Sequence, residues 1–387
     1  MPTFDVAVVG LGAMGSAALY AAASRGQRVI GFDRFEPGHA RSSSFGESRV
    51  IRLAYFEDPS YVPLLRGAYR AWRKLEALTG EKILTITGIV EAGHPGATLV
   101  EGSIRSAREH NLPHELLTPQ QVNDRFPAFN LPADWTCVFQ PDGGVLLPEK
   151  AIGLFVAAAQ DGGATVRLNT PVSGVQLAGN GVRVRLADGE VIDAGSAIVA
   201  PGPWIKDLIP ELGGRLQLTR QPLLWFDPVD EPLVRPDRMP VFFFQSHDHL
   251  TYGLPNICGS GVKAASHLSG GDLESADAPR ADVSDHEKAG LRALLQRYVP
   301  AAAGEIHRTS LCIYTRSPDE HFVLGQHPEA PQIVLASPCS GHGFKFASVM
   351  GEILADLAID RSTDWPIDLF RPQRVLDGVG SSHDRNR

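Results

Sequence analysis

The sequence predicts an α/β protein with two interleaved domains, one built on a parallel sheet and the other, of α+β type, on an inserted antiparallel sheet. Three observations predict this fold. The chain opens with a strand, a glycine turn and a helix, a similar alternation returns in the middle of the chain, and short strands without intervening helices follow it. The length of 387 residues also exceeds the size at which one hydrophobic core usually stops growing.

The first elements form a βαβ opening. Apolar residues over Asp5–Val9 predict a strand, the glycine turn Gly10–Gly15 follows it, and Ala13–Ser24 has the pattern of a helix. Gly26 is expected to end this helix, and Gln27–Asp33 is predicted to be the second strand. Strands joined by a crossover helix lie parallel in one sheet, so this opening predicts a parallel sheet.

Later segments carry both kinds of pattern. Helical periodicity runs from about Tyr61 to Leu78 and stops at Gly80, and Ile83–Glu91 alternates like a single strand. The remaining predicted elements are, in chain order, helix Leu154–Ala159, strand Thr165–Leu168, a hairpin of Gly174–Gln176 and Val182–Leu186, strand Ala197–Ala200, antiparallel strands Pro222–Phe226, Val241–Phe244 and Leu250–Gly253, helix Glu287–Arg297, strand Gln332–Ala336 and helix Ala347–Ile359.

The order of these elements implies that both domains are discontinuous. We expect the nucleotide-binding domain to comprise residues 1–82, 145–218 and 320–387. The substrate-binding domain is expected to comprise residues 83–144 and 219–319. Parallel sheets are assembled from strands joined by long crossovers, so the first domain can recruit strands from the start, middle and end of the chain.

The glycine turn predicts a dinucleotide site. Gly10, Gly12 and Gly15 follow an apolar strand and open a helix, where backbone N–H groups and the positive helix end can bind a pyrophosphate. Asp33 ends the next strand, about 20 residues on, where a carboxylate can accept hydrogen bonds from ribose hydroxyls. A plain turn in a glycine-rich chain is the alternative. The motif fits FAD and NAD equally well.

Composition limits the partners of this protein. Apolar residues make up 43% of the chain, charged residues 21%, and no stretch reaches the roughly 20 apolar residues of a membrane span. The net charge of -8 and the absence of a basic cluster disfavour nucleic acid. The four cysteines lack the spacing of a zinc site or disulfide framework, and no export signal is visible. We expect a cytoplasmic protein with no metal, no membrane contact and a small-molecule partner.

Several longer motifs occur in order along the chain: SSSFGESRVIR (42–52), APGPW (200–204), CIYT (312–315), PDEHF (318–322) and SGHGFKF (340–346). Over nearly its whole length the sequence resembles the group of monomeric sarcosine oxidase and N-methyltryptophan oxidase, within the D-amino-acid-oxidase-like flavoenzymes. The resemblance implies FAD, a glutathione-reductase-type nucleotide fold with a catalytic domain, and an oxidase that releases an imine and hydrogen peroxide. It therefore selects FAD, which the glycine motif alone does not.

The resemblance also implies roles for individual residues around a flavin. Cys312 matches the position where the group attaches FAD covalently, although a lone cysteine of this kind is often a small buried apolar residue. Arg52 and Lys345 match the cations that bind the substrate carboxylate, and Arg49 belongs to the same motif as Arg52. Lys263 matches the lysine that assists oxygen reduction, because a cation stabilises the anion formed there.

The remaining matched positions line the same two sites. Tyr252, Tyr314 and His267 match substrate-pocket positions. The cofactor-binding matches outside the glycine motif are Ser42, Ser43, Gly202, Trp204, Gly341 and Gly343, with Lys345 next to the flavin. Phe45 departs from the group, since a histidine stands there in sarcosine oxidase. We expect this change to affect redox tuning or substrate size.

The resemblance implies oxidation of the C–N bond of an N-methyl amino acid, with oxygen reduced to hydrogen peroxide, by a monomer. Three alternatives stay open on the sequence. In the first alternative, the substrate is a cyclic imino acid such as pipecolate or proline, or a sugar-modified amino acid. The electrons pass to another acceptor than oxygen, as in a dehydrogenase. In a different class of function, the chain is an inactive flavin-binding or NAD-binding protein.

Overall fold

The computed structural model describes residues 3–247, 249–267, 270–337 and 340–378. Its strands form three sheets within these ranges, and helices pack on the first of them. Among the described residues, none of the helices combines the length and apolar character needed to cross a membrane. The last nine residues of the predicted segment 320–387 lie outside the described part.

Nine α-helices are present in the described residues, several of them joined to short 3-10 turns. They are α1 (Ala13–Ala23), α2 (Val62–Thr79), α3 (Thr98–Glu109), α4 (Pro119–Arg125), α5 (Pro148–Asp161), α6 (Ile205–Leu208), α7 (Asp285–Tyr298), α8 (Ala347–Ile359) and α9 (Pro372–Leu376).

Twenty strands make up the sheets of the described residues. They are β1 (Phe4–Val9), β2 (Val29–Phe32), β3 (Arg49–Ile51), β4 (Leu84–Ile86), β5 (Ile89–Gly93), β6 (Glu115–Leu117), β7 (Thr136–Gln140), β8 (Gly144–Leu146), β9 (Thr165–Arg167), β10 (Val172–Ala178), β11 (Gly181–Leu186), β12 (Val191–Val199), β13 (Gln217–Phe226), β14 (Val241–Ser246), β15 (His249–Leu254), β16 (Val262–Ser266), β17 (Asp272–Leu273), β18 (Ile306–Arg316), β19 (Val323–His327) and β20 (Ala330–Ser337).

The predicted parallel sheet is present. In the described residues it forms the centre of a mixed sheet of eight strands in the order β10-β11-β12-β1-β2-β9, with β20 beside β12 and β19 beside β20, in which β10, β11 and β19 pair antiparallel. Strand β1 is parallel to both β12 and β2, with Ala7 opposite Ala197 and Ile30. The helices α1, α5 and α8 cover one face, and the alanines of α1 let it approach α8 closely. The carboxyl ends of β1, β2 and β12 therefore meet at one edge of the sheet.

The second large sheet has nine strands within the described residues, in the order β17-β13-β16-β15-β14-β5-β7-β6, with β18 on β13. Its pairs are antiparallel, as predicted, except that β14 runs parallel to β5. Strand β18, which carries Cys312 and Tyr314, runs along most of β13, and the sequence prediction missed it. Aromatic residues such as Phe242 and Phe244 fill the core beneath this sheet.

A third, three-stranded sheet corrects one prediction. The stretch Ile83–Glu91 is two strands, because the chain turns at Thr87–Gly88 and Gly88 has a φ of 73°. Strand β4 joins β3 and β8, whereas β5 enters the nine-stranded sheet. Alternating apolar residues continue across this turn, so periodicity did not reveal it.

Helix bounds agree well with the predicted patterns. Helix α8 has the predicted limits, α1 ends one residue early at Ala23, and Gly80 caps α2 with a φ of 71°. All strands of the eight-stranded sheet come from the three predicted segments of the nucleotide-binding domain. The domain boundaries at 82, 144, 218 and 319 stay predictions. Two of them fall inside strands, because β8 crosses the boundary at 144 and β13 crosses the boundary at 218.

Candidate active site

A cavity of about 280 Å³ lies between the two large sheets. One wall is formed by residues at the carboxyl ends of the parallel strands, such as Val9, Phe32 and Ala200. The opposite wall comes from β14, β15 and β18. Open α/β sheets bind ligands outside the carboxyl ends of their strands, so the cavity has the expected location. The predicted site residues that line it are Gly10, Gly12, Asp33, Ser42, Ser43, Arg49, Arg52, Gly202, Trp204, Tyr252, His267, Cys312, Tyr314, Gly341, Gly343 and Lys345.

At one end of the cavity, the turn from β1 into α1 is shaped by its glycines. Gly10 has a φ of 87°, and any Cβ at Gly15 would collide with the carbonyl oxygen of Gly10. Gly15 does not line the cavity, so its contribution is close packing of α1 against β1. A Cβ at Gly12 would meet no atom within 4 Å, which leaves room in front of the N-terminus of α1 for a phosphate group.

Asp33 closes this end of the cavity. Its carboxylate accepts hydrogen bonds from the backbone N–H of Leu11 at 2.7 Å and of Phe35 at 2.8 Å. Burial raises the pKa of the Asp33 carboxyl group, and the two hydrogen bonds oppose that shift. The carboxylate is thus held in a fixed orientation beside the glycine turn. Together these features fit the pyrophosphate and ribose of a dinucleotide such as FAD.

The segment after β2 carries Ser42 and Ser43 to the middle of the cavity, next to Cys312 on β18. The Sγ atom of Cys312 lies 3.1 Å from the carbonyl oxygen of Ser43 and 3.9 Å from Nη2 of Arg49. Arg49 also donates to the carbonyl oxygen of Phe45 at 2.6 Å. Phe45 is half-buried and does not line the cavity. A thiol therefore faces the cavity beside a guanidinium group.

At the other end of the cavity, Arg52 is buried between two carboxylates. Its Nη2 lies 2.7 Å from Oε2 of Glu57, and its Nε lies 3.0 Å from Oε1 of Glu91. The second contact is an ion pair without hydrogen-bond geometry, since neither atom has a hydrogen-bond partner. The guanidinium also lies over the ring of Tyr55, 4.6 Å from its centre, and 5.6 Å from that of Phe243.

The two carboxylates differ in exposure. The side chain of Glu57 is 17% exposed and lines the cavity, whereas that of Glu91 is fully buried and does not. Burial raises the pKa of Glu91 to about 7, although the neighbouring Arg52 opposes this shift. Oε2 of Glu91 accepts a 2.6 Å hydrogen bond from Nε2 of Gln140, so one carboxylate is fixed inside the protein and the other lies at the cavity.

Lys345 supplies a second buried cation close to Arg52. Its Nζ donates to the carbonyl oxygen of His342 at 2.9 Å and lies 5.1 Å from the centre of the Tyr55 ring, the same ring that Arg52 covers. Burial, with the nearby charge of Arg52, lowers the pKa of Lys345 to about 7. Its backbone lies in a 3-10 turn that leads directly into α8. Two buried cations therefore lie close together at this end of the cavity, beside the start of α8.

Polar aromatic side chains complete the wall between the two ends. The hydroxyl of Tyr314 lies 3.4 Å from Nδ1 of His267, and Tyr252 packs edge-on against Phe243. Burial lowers the pKa of His267 to about 3 and raises those of Tyr252 and Tyr314. At neutral pH these three side chains are consequently uncharged.

Four further predicted residues line the cavity at its edges. Trp204 and Gly202 lie in a 3-10 turn after β12, where the indole Nε1 donates to Oδ1 of Asp277 at 3.2 Å. Gly341 and Gly343 lie just before the turn that carries Lys345. These positions bring the loops after β12 and β20 to the same cavity.

Lys263 is placed differently from the other predicted residues, because it does not line the cavity. It is buried on β16, and its Nζ donates to the carbonyl oxygens of Gly46, at 2.9 Å, and of Ser48. Burial, together with the charge of Arg49, lowers the pKa of Lys263 well below its usual value. In this structure Lys263 therefore binds the segment between Ser43 and Arg49 from outside the cavity.

The sequence reasoning missed Glu57, Glu91 and Gln140. A signal was available for each carboxylate, because a buried arginine needs a nearby counter-charge. Glu57 follows Arg52 by five residues, and Glu91 is a carboxylate within the otherwise apolar strand Ile89–Gly93. The identity of the arginine that Glu91 contacts could not be read from the sequence, since 39 residues separate the two.

Comparison with known proteins gives a family match over most of the chain. Residues 5–357 match the family described as FAD dependent oxidoreductase. The monomeric sarcosine oxidase of Streptomyces avermitilis is 38% identical over 380 residues, which cover 97% of this chain and 98% of that protein. The N-methyl-L-tryptophan oxidase of Yersinia pestis is 33% identical over 369 residues, which cover 95% of this chain and 97% of that protein.

Solved structures show the same fold. NikD, described as an unusual amino acid oxidase essential for nikkomycin biosynthesis, is 25% identical and superposes with a TM-score of 0.84, covering 96% of this chain and 98% of NikD. The L-proline dehydrogenase from P. horikoshii is 20% identical, with a TM-score of 0.84 and coverage of 97% and 98%. These findings confirm the predicted resemblance and the predicted fold class.

Proposed function

Because the chain belongs to the family of FAD-dependent oxidoreductases, we propose that it oxidises the C–N bond of N-methyl amino acids and passes the electrons to oxygen. One observation carries this proposal. Two buried cations, Arg52 and Lys345, lie at the end of the cavity away from the dinucleotide turn. A dry site with paired cations binds a small carboxylate, which an amino acid supplies.

The described residues provide a place for each part of FAD. The glycine turn and Asp33 would hold the pyrophosphate and the adenosine ribose, and Ser42, Ser43 and Trp204 would border the rest of the cofactor. When bound, FAD accepts two electrons from the substrate and delivers them to oxygen. The position of Cys312, between the dinucleotide end and the two cations, places its thiol beside the reactive part of the cavity.

The chain's own groups bind and orient the substrate. The terminal edge of Arg52 and the ammonium of Lys345 would take the carboxylate, in exchange for Glu57 at the cavity. Tyr314, Tyr252 and His267 are uncharged at neutral pH, and none of them is a strong base there. We propose that the amine binds in its neutral form and loses hydrogen from carbon as a hydride equivalent, a route that requires no strong protein base.

The products follow from the bond that is oxidised. For sarcosine, removal of two electrons and two protons, as a hydride equivalent from the N-methyl group and a proton from nitrogen, leaves an imine, and water hydrolyses it to glycine and formaldehyde. Oxygen takes the two electrons and two protons and leaves as hydrogen peroxide. The apolar wall of Phe243 and Tyr252 limits the size of the group that fits beside the carboxylate.

We also propose that Cys312 attaches FAD through a thioether to the flavin 8-methyl group: the S–H bond and one methyl C–H bond would break as the C–S bond forms, and the two electrons released would pass to the flavin and then to oxygen. Cys312 lines the cavity, and Nη2 of Arg49 lies 3.9 Å from its sulfur. Denaturing the wild-type protein with acid should leave the yellow colour in the pellet, whereas the pellet of Cys312→Ser should be colourless. Cys137, also buried, provides the matched control: Cys137→Ser should keep the colour with the protein. Colour in the Cys312→Ser pellet would contradict the attachment.

For the step with oxygen, we propose Lys263 as the stabilising cation, acting from behind the segment that contains Gly46 and Ser48. Replacing it with methionine removes the charge but keeps the length of the side chain. Stopped-flow reduction by substrate should change little, while reoxidation by air should slow by about a hundredfold. Equal slowing of both half-reactions would instead indicate that Lys263 only holds the segment in place.

The remaining expectations join this proposal. We propose that the enzyme acts as a monomer in the cytoplasm and that its FAD-binding domain comprises residues 1–82, 145–218 and 320–387. Size-exclusion chromatography with light scattering tests the monomer. Limited proteolysis with mass spectrometry tests the boundaries at 82 and 319, which lie outside strands, because cleavage should concentrate there rather than within strands.

The deciding experiment is anaerobic absorbance spectroscopy of the purified yellow protein with sarcosine, N-methyl-L-tryptophan, L-proline and pipecolate in turn. Bleaching by an N-methyl amino acid and return of the colour in air, with release of peroxide, is the expected result. Bleaching by a cyclic imino acid alone would change the substrate class. Bleaching without reoxidation by air would indicate a dehydrogenase, and no bleaching by any amine would overturn the proposed function.

A further inference from the structure

Glu91 is a charged group that the proposed reaction does not use. It lies on β5, its side chain is fully buried, and it forms no part of the cavity wall. Its neighbours across the sheet are Val138 on β7 and Phe243 on β14, both apolar. A carboxylate buried in such surroundings is costly unless a cation compensates it. The contacting cation is Arg52.

The charged and titratable groups around Glu91 come from four directions. Arg52 faces it directly at 3.0 Å, and Glu57 lies on the far side of the same guanidinium. The amide of Gln140 binds it from β7. Lys345 is more distant, but the negative charge of Glu91 still opposes part of the lowering of the Lys345 pKa. From α3, the element packed on β5, the buried hydroxyl of Ser103 faces the strand.

The aromatic contacts of Arg52 do not fix how its guanidinium group is rotated within its own plane. The ring centres of Tyr55, Phe56 and Phe243 lie 4.6 to 5.6 Å from its guanidinium carbon, and the rings restrict the orientation of the guanidinium plane. Stacking of this kind does not determine how the planar group is rotated within its plane. The ion pair between Nε and Glu91, although it lacks hydrogen-bond geometry, favours the rotation in which Nε faces Glu91 and the terminal nitrogens face Glu57 and the cavity.

Glu91 can serve as an anchor because it is itself held. Gln140 donates to its Oε2 at 2.6 Å, accepts from the backbone N–H of Ala54 at 2.9 Å and donates to the carbonyl oxygen of Ala54 at 3.2 Å. The N–H of Ala54 can only donate, so it fixes the orientation of the amide. The connection thus returns to the backbone two residues after Arg52.

We propose that Glu91 is a positioning residue for substrate recognition, which holds the inner edge of Arg52 so that its outer edge exchanges Glu57 for the substrate carboxylate. This inference rests on the proposed function, because it assumes that Arg52 binds a carboxylate. The two glutamates then have opposite effects. Glu57 competes with the ligand for the outer edge, whereas Glu91 prepares that edge to receive it.

Acetate is a suitable probe, since it has the carboxylate but no oxidisable C–N bond. Its dissociation constant is measured with the FAD-loaded enzyme, by isothermal titration calorimetry and by the change in the flavin spectrum. At pH 8.5, Glu91→Gln should weaken acetate binding by about tenfold, because the anchor of Arg52 is lost. Glu57→Gln, the matched control, should strengthen binding by a few-fold, because the competitor is lost.

A pH series separates positioning from a general loss of structure. Glu91 carries a proton below its pKa of about 7, so at low pH the wild type also lacks the anionic anchor. The ratio of the two dissociation constants, Glu91→Gln over wild type, should therefore fall toward one between pH 8.5 and pH 6. Lys345 titrates in the same range and its pKa responds to the charge of Glu91, so both proteins are measured in the Lys345→Arg background, where this cation stays charged.

The outcomes are distinct. If both glutamine variants bind acetate more tightly, Glu91 is only a second competing anion, and the inference is overturned. It is also overturned if the ratio does not change with pH. If the wild type binds no acetate, the proposed carboxylate site itself fails. Should Glu91→Gln not fold, Gln140→Met tests the same arrangement, because it removes the side chain that holds Glu91. This variant should weaken acetate binding by about threefold. Tighter or unchanged binding would overturn the inference.

Discussion

The two ends of the cavity are built in different ways. The dinucleotide end is made by backbone groups and one carboxylate from a single stretch, Gly10 to Asp33, in which sequence neighbours are also spatial neighbours. The carboxylate end, which contains Arg52, Glu91, Gln140 and Lys345, is made by buried polar groups just after β3, on β5 and β7, and in the 3-10 turn before α8. We therefore expect the dinucleotide end to tolerate little change in shape and the carboxylate end to tolerate little change in charge.

The largest effect is expected for a change of shape at the dinucleotide end. A side chain at Gly15 would collide with the carbonyl oxygen of Gly10, so Gly15→Val should separate α1 from β1 and abolish FAD binding. The ratio of FAD to protein after purification measures this. Gly153→Val in α5 is the matched control, because a Cβ at Gly153 meets no atom within 4 Å. Normal FAD content in Gly15→Val would break the comparison.

Removal of charge at the other end should have the next largest effect. Arg52→Ala removes the carboxylate ligand and leaves Glu91 buried without its ion pair, a loss of about 3–5 kcal/mol. The KM for an N-methyl amino acid should rise by at least about a hundredfold, measured by peroxide release. Arg183→Ala, which breaks an exposed pair with Asp193, should leave the KM unchanged. A KM in Arg52→Ala close to that of the wild type would remove Arg52 from the site.

A pH effect of about tenfold should sharpen the description of the carboxylate end. The pKa of Lys345 is lowered to about 7, so the side chain gains its charge as the pH falls below that value. In the Glu91→Gln background, where residue 91 no longer titrates, acetate should bind about tenfold more tightly at pH 6 than at pH 8.5. Lys345→Arg in the same background should remove this dependence, since arginine stays charged. The opposite slope would show that Lys345 is not the titrating cation.

The smallest effect is expected for a change of charge at the dinucleotide end. Asp33→Asn keeps one of the two backbone hydrogen bonds, because Leu11 and Phe35 donate to different carboxylate oxygens and the amide has only one oxygen, and it also loses the charge toward the ribose. FAD should dissociate a few-fold more readily, as measured by fluorescence in the Cys312→Ser background. If this change abolished FAD binding, the dinucleotide end would depend on charge as strongly as the carboxylate end, and the comparison would fail.

Local pattern was sufficient wherever the determining interactions are short-range. The opening βαβ unit, the glycine turn, the Gly80 cap of α2 and the limits of α8 were predicted because periodicity and turn chemistry act within a few residues. The split between β4 and β5 was missed for the same reason. The alternation continues through Thr87–Gly88, and only pairing with different partners in two sheets shows that the strand has ended.

The candidate site shows the same division. Sixteen of the predicted residues line the cavity, three of them from the glycine motif and thirteen from the resemblance, whereas Lys263 contacts a backbone segment outside the cavity and Gly15 lies within the packing of α1. A motif match specifies which residue type occupies a position, but it does not specify whether the side chain reaches the cavity. That depends on the path of Gly46–Ser48, which binds the lysine through two carbonyl oxygens.

By itself, the sequence determined the class of the fold, the dinucleotide turn with Asp33, and the family to which the chain belongs. Those features depend on residue types at short spacing or in a conserved order. Only the tertiary structure decided that Arg52 lies between Glu57 and Glu91, and that Gln140 ties Glu91 to the backbone of Ala54. Buried charges act on whatever lies within a few ångströms, and folding sets those neighbours by joining strands that are far apart in the chain.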